Sequence, residues 1–350
     1  MTDTHWSPNH ASARRARQPL PESVDVVVVG AGLGGLVTAA TLAQQGRKVA
    51  VLDGHYVAGG SCTMFQRRGE GGMFNFDIGL HYVGDIESGP ITGILRSLGI
   101  ELQWKQLDPD GFDTLVFPDF RFRIPASREV YRERLVAMFP SEVKGIDRYV
   151  RFLEEVERIG KQYEASGGKP TLRMGLDVVL HGRMLAKYRG ATIEQLLDDC
   201  TRVPQLRAIM LGQHGDYGLP PQEVSALLHA GLANHYFRGA WYPVGGGQMI
   251  ADALAAKIEE AGGTVHLRRP VHRIMVEGGQ AAGVEVETRE GLHRINASRV
   301  VSNADIKRTV AELLPPEAVP SEWASKVRGY KMAGALFMSF RKQDETLVKQ

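Results

Sequence analysis

Val24-Asp25-Val26-Val27-Val28-Val29-Gly30-Ala31-Gly32-Leu33-Gly34-Gly35 is the stretch that decides the fold. A nearly unbroken β-branched run suits a central strand buried on both faces of a parallel sheet. Leu36, Val37, Ala39, Ala40, Leu42 and Ala43 then mark the apolar face of a helix that Gly46 can end. A second strand, Lys48 to Leu52, runs into Asp53. The result is a βαβ unit of about 30 residues, the setting in which a glycine pattern becomes a dinucleotide-binding fingerprint.

Each glycine of Gly30-x-Gly32-x-x-Gly35 has its task. Gly30 permits the tight turn, Gly32 lets backbone approach a pyrophosphate, and Gly35 lets helix pack on strand. The pyrophosphate sits on the helix N-terminus at Leu33 and Gly34, where free N–H groups and the dipole favour an anion. Asp53 ends the second strand, where its carboxylate can accept both ribose hydroxyls. This unit fits NAD as well as FAD. Gly59-Gly60-Ser61 favours FAD, because the chain there returns over the pyrophosphate. The later Val271 strand and Val300-Val301-Ser302-Asn303-Ala304 suit one large FAD domain, and Val271 and Ala304 join the cofactor-binding candidates.

Composition bounds the rest. In 350 residues, 43% apolar and 23% charged, there is room for about two domains. A net charge of +2 lacks the basic surplus of a dedicated nucleic-acid binder. Two cysteines, Cys62 and Cys200, exclude a disulfide framework and a cysteine-built zinc site. The histidines are scattered without metal-ligand spacing, so no metal is expected. No apolar run reaches the length of a membrane span. Residues 1–22 read as a disordered tail, broken by Pro19 and Pro21, and no secretory signal is read in them. A cytoplasmic, non-secreted protein is expected.

Residues 54–89 are glycine-rich and read as a long functional loop. Leu102 to Leu107, Asp113 to Phe117 and Phe120 to Ile124 alternate like antiparallel strands. Helices are expected over 127–139, 141–163, 192–200 and 222–236, with Thr192 and Gln195 able to form a capping box. After Gly245-Gly246-Gly247 come a helix over 248–261 and strands over 264–267, 271–276 and 282–288, with Gly278-Gly279 turning the last two. Met332 to Phe340 is strand-like. The expected class is α/β: a Rossmann-like FAD-binding domain, parallel sheet with helices, carrying an inserted α+β substrate domain. Its parts run 23–85 and 240–310 for FAD, and 86–239 with 311–350 for substrate.

The motifs together resemble the FAD-dependent phytoene desaturase superfamily. Gly30-Ala31-Gly32-Leu33-Gly34-Gly35-Leu36, Gly59-Gly60-Ser61 and Val301-Ser302-Asn303-Ala304-Asp305 carry the general likeness. Phe76-Asp77-Ile78-Gly79-Leu80-His81-Tyr82-Val83-Gly84, Gly215-Asp216-Tyr217-Gly218 and Asn234-His235-Tyr236-Phe237-Arg238-Gly239 narrow it to the retinol saturase and carotenoid cis–trans isomerase branch. Asp53 departs from the glutamate usual in that family, keeping the role with a shorter reach. Members are normally longer. The chain therefore reads as C-terminally truncated, with weak FAD retention and no polyene turnover expected of it alone.

The resemblance implies an apolar polyene substrate (carotenoid, retinoid or related isoprenoid) and hydride exchange with flavin N5. Desaturation, saturation and redox-neutral isomerisation stay open. His81 and Tyr82 are the catalytic candidates, followed by Tyr217, His235, Tyr236 and Tyr242; a satisfied core role is the alternative for each. A flavin amine oxidase and a non-catalytic nucleotide or lipid binder are the rival functions. Leu172 to Leu180 and Met184 to Arg189 mix apolar residues with Arg173, Arg183, Lys187 and Arg189. That suits peripheral membrane contact through an interfacial helix, with an ordinary domain helix as the alternative.

Overall fold

The computed structural model describes residues 9–332 and 338–340. Helix α1 (Asn9–Arg17) lies inside the expected disordered tail. It is held there by Arg15, buried, whose Nε donates to Glu259 Oε1 at 2.9 Å. The first eight residues of that tail lie outside the described residues.

Strand β1 (Ser23–Val29), helix α2 (Leu33–Gln44) and strand β2 (Val49–Asp53) form the βαβ unit. The expected loop after it is partly regular: β3 (Met64–Gly69) and β4 (Gly72–Asp77) pair as a hairpin. Its alternating Phe65, Phe74 and Phe76 and its Glu70-Gly71 turn carry the hairpin pattern. Short β5 (Val83–Gly84), helix α3 (Pro90–Ser97), β6 (Trp104–Gln106), β7 (Asp113–Val116) and β8 (Arg121–Ile124) follow. β7 and β8 pair antiparallel as the alternation requires, whereas β6 pairs elsewhere.

A helical region comes next: α4 (Arg128–Met138), α5 (Val143–Ala165), α6 (Leu172–His181), α7 (Arg183–Tyr188), α8 (Ile193–Cys200), α9 (Pro204–Met210) and α10 (Ala226–Tyr236). Thr192 and Gln195 form the capping box on α8. α10 starts four residues later than its apolar pattern suggested, because Ser225 accepts from the Leu227 N–H and caps it. The core of this region centres on Tyr149, Phe152, Leu153, Leu196 and Leu197.

The chain then returns through β9 (Ala240–Pro243), which pairs with β5 and β6, and α11 (Gln248–Glu260). Strands β10 (Thr264–Leu267), β11 (Val271–Glu277), β12 (Gln280–Thr288) and β13 (Gly291–Ser302) complete the large sheet, in the order β10-β2-β1-β13-β12-β11. β10, β2, β1 and β13 run parallel; β13, β12 and β11 run antiparallel.

β1 is buried on both faces, as its composition demands. Val26 and Val28 join a core with α2 and α11; Val27 and Val29 join another with Ile274, Val284 and Ile295 of the antiparallel strands. Of the strand expected over Met332–Phe340, residues 333–337 lie outside the described residues.

Candidate functional site

The glycine turn is a cradle of backbone. Gly30 has φ +100°, a conformation that side chains disfavour, and its N–H donates to the Leu52 carbonyl at 2.8 Å. A Cβ on Gly35 would overlap the Gly30 carbonyl oxygen, so helix and strand approach there only through glycine. α2 begins at Leu33 with Gly32 as N-cap, no capping side chain and no acid in its first turn. Its leading N–H groups are therefore free for an anion. Gly59 N–H donates to the Ala31 carbonyl at 2.8 Å, and Gly60 lies against Gly32. The return loop thus sits on the turn, with Ser61 exposed beside it.

Asp53 stands at the end of β2. Its Oδ2 accepts from the Ala31 N–H at 2.7 Å and its Oδ1 from the His55 N–H at 2.8 Å. Each carboxylate oxygen keeps a further lone pair for a ribose hydroxyl. Ala304 lies beside Gly30, since a Cβ built on Gly30 would come 3.4 Å from its nitrogen. Val271 is buried in β11, directly after Pro270, which packs on Gly54.

Asn303 escaped notice as a site residue. Cβ atoms built on Gly32 and Gly34 would come 3.0 and 2.8 Å from its side-chain nitrogen and oxygen. Its N–H donates to the Val29 carbonyl at 2.7 Å. Some of the glycines thus make room for Asn303. Gln248 was missed too. Fully buried, it donates to the Ala58 carbonyl at 2.7 Å and accepts from the Met64 N–H at 3.3 Å, stitching the return loop to α11.

Beyond the cradle, Asp77 Oδ1 accepts from the Gly247 N–H at 2.9 Å, and burial raises its carboxyl above the ordinary range. The Cys62 thiol donates to the Gly247 carbonyl at 3.2 Å; burial pushes it up to about 12, so it stays an unreactive thiol.

The segment through His81 and Tyr82 leads from there into a second cluster. His81 is exposed. Tyr82 donates to Asp113 Oδ2 at 3.0 Å and accepts from Gln213 Nε2 at 3.3 Å. Its ring meets that of Tyr236 edge-on at 4.8 Å, and Tyr236 donates to Asp216 Oδ2 at 3.2 Å. Two tyrosines and two carboxylates, from four separate stretches of the chain, are therefore brought together. The protein packed around Asp216 raises its carboxyl, although Tyr236 and His81 pull the other way; Asp113 adds to the rise. Burial likewise raises both tyrosine hydroxyls.

The other candidates have structural partners. His235 Nε2 accepts from the Gly84 N–H at 2.8 Å, which holds β5 to the end of α10, and burial lowers its basicity. Tyr217 bonds His229 Nδ1 at 3.1 Å, and Tyr149 bonds His229 Nε2 at 2.7 Å. Burial lowers His229 to about 4, so it is neutral at physiological pH. Tyr242 is half-buried on β9. Among the described residues, no cluster of metal ligands occurs and no helix is long and apolar enough to cross a membrane.

Parallel strands at the heart of a mixed sheet, an uncapped helix N-terminus over a glycine turn, and an acid at the second strand define a dinucleotide-binding α/β protein. Residues 33–347 match the family described as flavin containing amine oxidoreductase, and the chain belongs to that family. Its cofactor is FAD, which the cradle fits. The chain is 36% identical over 312 residues to an all-trans-retinol 13,14-reductase of Danio rerio, covering 85% of this chain and 50% of that protein. An inactive all-trans-retinol 13,14-reductase of the same organism is 30% identical over 314 residues, covering 86% and 51%. A zeta-carotene-forming phytoene desaturase of Myxococcus xanthus is 29% identical over 338 residues, covering 92% and 61%. The chain thus spans about half the length of the first two relatives. In fold it matches a solved putrescine oxidase variant with a TM-score of 0.60 at 19% identity, over 87% of this chain and 63% of that one.

Proposed function

We propose that the chain serves a flavin-dependent reduction of a carbon–carbon double bond in an apolar conjugated polyene of retinoid type. The observation that carries this reading is its 36% identity with a retinol 13,14-reductase across 85% of its length. In this reading the FAD-binding domain comprises 23–85 and 240–310, joined by Leu95, Leu98, Ile100 and Leu313, which pack into its cores, and the substrate domain takes the rest of 86–239. Desaturation or isomerisation would use the same cradle.

Gly30, Gly32, Leu33, Gly34 and Gly35 hold the diphosphate on the start of α2; Asp53 takes the ribose hydroxyls. Gly59, Gly60 and Ser61 close over them, and Val271 and Ala304 border the adenosine side. When bound, the flavin supplies the two-electron hydride chemistry. Saturation also needs a proton, and the Tyr82, Tyr236, Asp113 and Asp216 cluster is the group that can hold one. Asp216 retains its proton to a higher pH than a free aspartate, and the Tyr236 hydroxyl orients its Oδ2. His81 borders this cluster, next to its member Tyr82 and close enough to act on the Asp216 charge. The substrate arrives from lipid, so peripheral membrane contact belongs to the reading.

The test is to record the flavin spectrum of the purified chain, reduce it without oxygen, add retinol, and look for a product two mass units heavier. Hydrogen peroxide with amines and no retinoid product would mark an amine oxidase instead. Binding without turnover is the second reading, favoured by the 30% identity with an inactive relative. Retinol that binds yet returns unchanged would establish it.

A further inference from the structure

A helix on a protein surface normally turns its apolar stripe inward. α6 does the reverse. Leu172, Leu176, Val179 and Leu180 recur at the spacing of one helical face. That face points outward: the four side chains are 83, 55, 81 and 69% exposed.

The inner side is pinned by polar bonds. Asp177 Oδ2 accepts from Arg158 Nε at 2.9 Å and from Gln162 Nε2 at 3.0 Å, both on α5. Arg158 also donates to the His181 carbonyl at 2.9 Å. Met174 is buried on the same side. Rolling the aliphatic face inward would break these bonds and strand a carboxylate, so the rotation is fixed.

Cations flank the exposed face. Lys169 and Arg173 lie at its start, Arg183 and Arg189 beyond its end, all exposed and none in an ion pair among the described residues. The acid of the helix, Asp177, is already matched by Arg158. Aliphatic side chains between free cations complement an anionic leaflet: acyl boundary for the first, headgroup phosphates for the second.

We propose that the outer face of α6 is a membrane-docking surface that seats on anionic lipid. The proposal rests on the lipid-borne substrate of the reading above, and names where the chain meets that lipid.

The test needs no substrate. The purified chain is floated with phosphatidylcholine vesicles, with or without about 30% phosphatidylserine. Binding is expected on the anionic vesicles, weaker on phosphatidylcholine alone, and reduced by salt. Leu176→Asp combined with Val179→Asp should weaken binding at least about tenfold with unchanged circular dichroism. Val179→Cys bearing an environment-sensitive dye gives a gentler probe, because the native Cys62 and Cys200 are buried. Its emission should shift to the blue on anionic vesicles.

A chain that does not float overturns the proposal. So does flotation untouched by the double substitution, or flotation without a dye shift. A lipid-free dimer that the double substitution turns monomeric would assign the face to a second copy of this chain. None of these readouts involves turnover, so failure of the polyene reading leaves them standing, and their failure leaves that reading intact.

Discussion

The glycine cradle and the tyrosine–carboxylate cluster are neighbours along the chain, through the segment 77–82, yet they are built on opposite principles. The cradle is backbone: its shape depends on atoms being absent at Gly30 and Gly35. The cluster is side chain: Tyr82, Asp113, Asp216 and Tyr236 meet because four separate stretches of chain aim them at one place. Adding an atom should wreck the first, whereas removing one should only retune the second.

Gly35→Ala is the hardest blow to that contrast. Its methyl would overlap the Gly30 carbonyl, and a clash with backbone has no cheap relief. A stability loss of about 3 kcal/mol or more is expected, with loss of flavin. Thermal melting and flavin absorbance per chain check it. Gly32→Val should likewise abolish flavin binding, with a milder effect on melting.

Asp53→Ala should weaken FAD by about 1.5–3 kcal/mol, the scale of hydrogen bonds to a charged group. Titration calorimetry on flavin-free protein measures it. A loss in melting temperature alone would mean that Asp53 chiefly serves the Ala31 and His55 N–H groups.

Behind the cluster, His229 supplies a pH test. Burial holds it at about 4 when folded, against about 6.5 for a free histidine. Below about 6.5 the unfolded chain takes up this proton and the folded chain does not. Its stabilisation is therefore complete above that value and drains away as the pH falls towards 4. Melting temperatures across that window should slope with pH, and His229→Gln should flatten the slope.

The smallest effect is predicted for Tyr236→Phe. Losing one hydrogen bond should cost about 0.5–1.5 kcal/mol. That bond lowers the Asp216 carboxyl, so its removal should move the alkaline limb of a pH–rate profile, on which the acid loses its proton, to higher pH. An unmoved limb would take Asp216 out of proton transfer.

What the sequence reveals of these two regions follows from distance along the chain. Strand, turn, helix and acid from Val24 to Asp53 are local, and so is the Thr192–Gln195 cap; spacing alone exposes them. Asn303 over Gly34, Gln248 on Ala58 and Asp113 on Tyr82 pair residues from 31 to about 270 positions apart, and no spacing announces such pairs. α1 was read as tail because Arg15 finds Glu259 only in three dimensions. The alternating aromatics of β3 and β4 were visible but were outweighed by the glycines around them. For α6 the amphipathic pattern is plain, but the bonds from Arg158 and Gln162 to Asp177, made only in three dimensions, tell which face looks out.

Strand β13 has a bearing on how the molecule comes to exist. Val28 waits for Val301, a partner about 270 residues later, before the middle of the parallel sheet can close. During synthesis the glycine turn emerges early and the strand that completes its sheet emerges after the whole helical region. Such a pairing is slow to find, because the intervening loop must be closed first. The helical region, with contacts mainly among nearby helices, can condense in the meantime and shorten that loop. Birth order therefore favours the helical region as scaffold, although the glycine turn stands nearer the front of the chain.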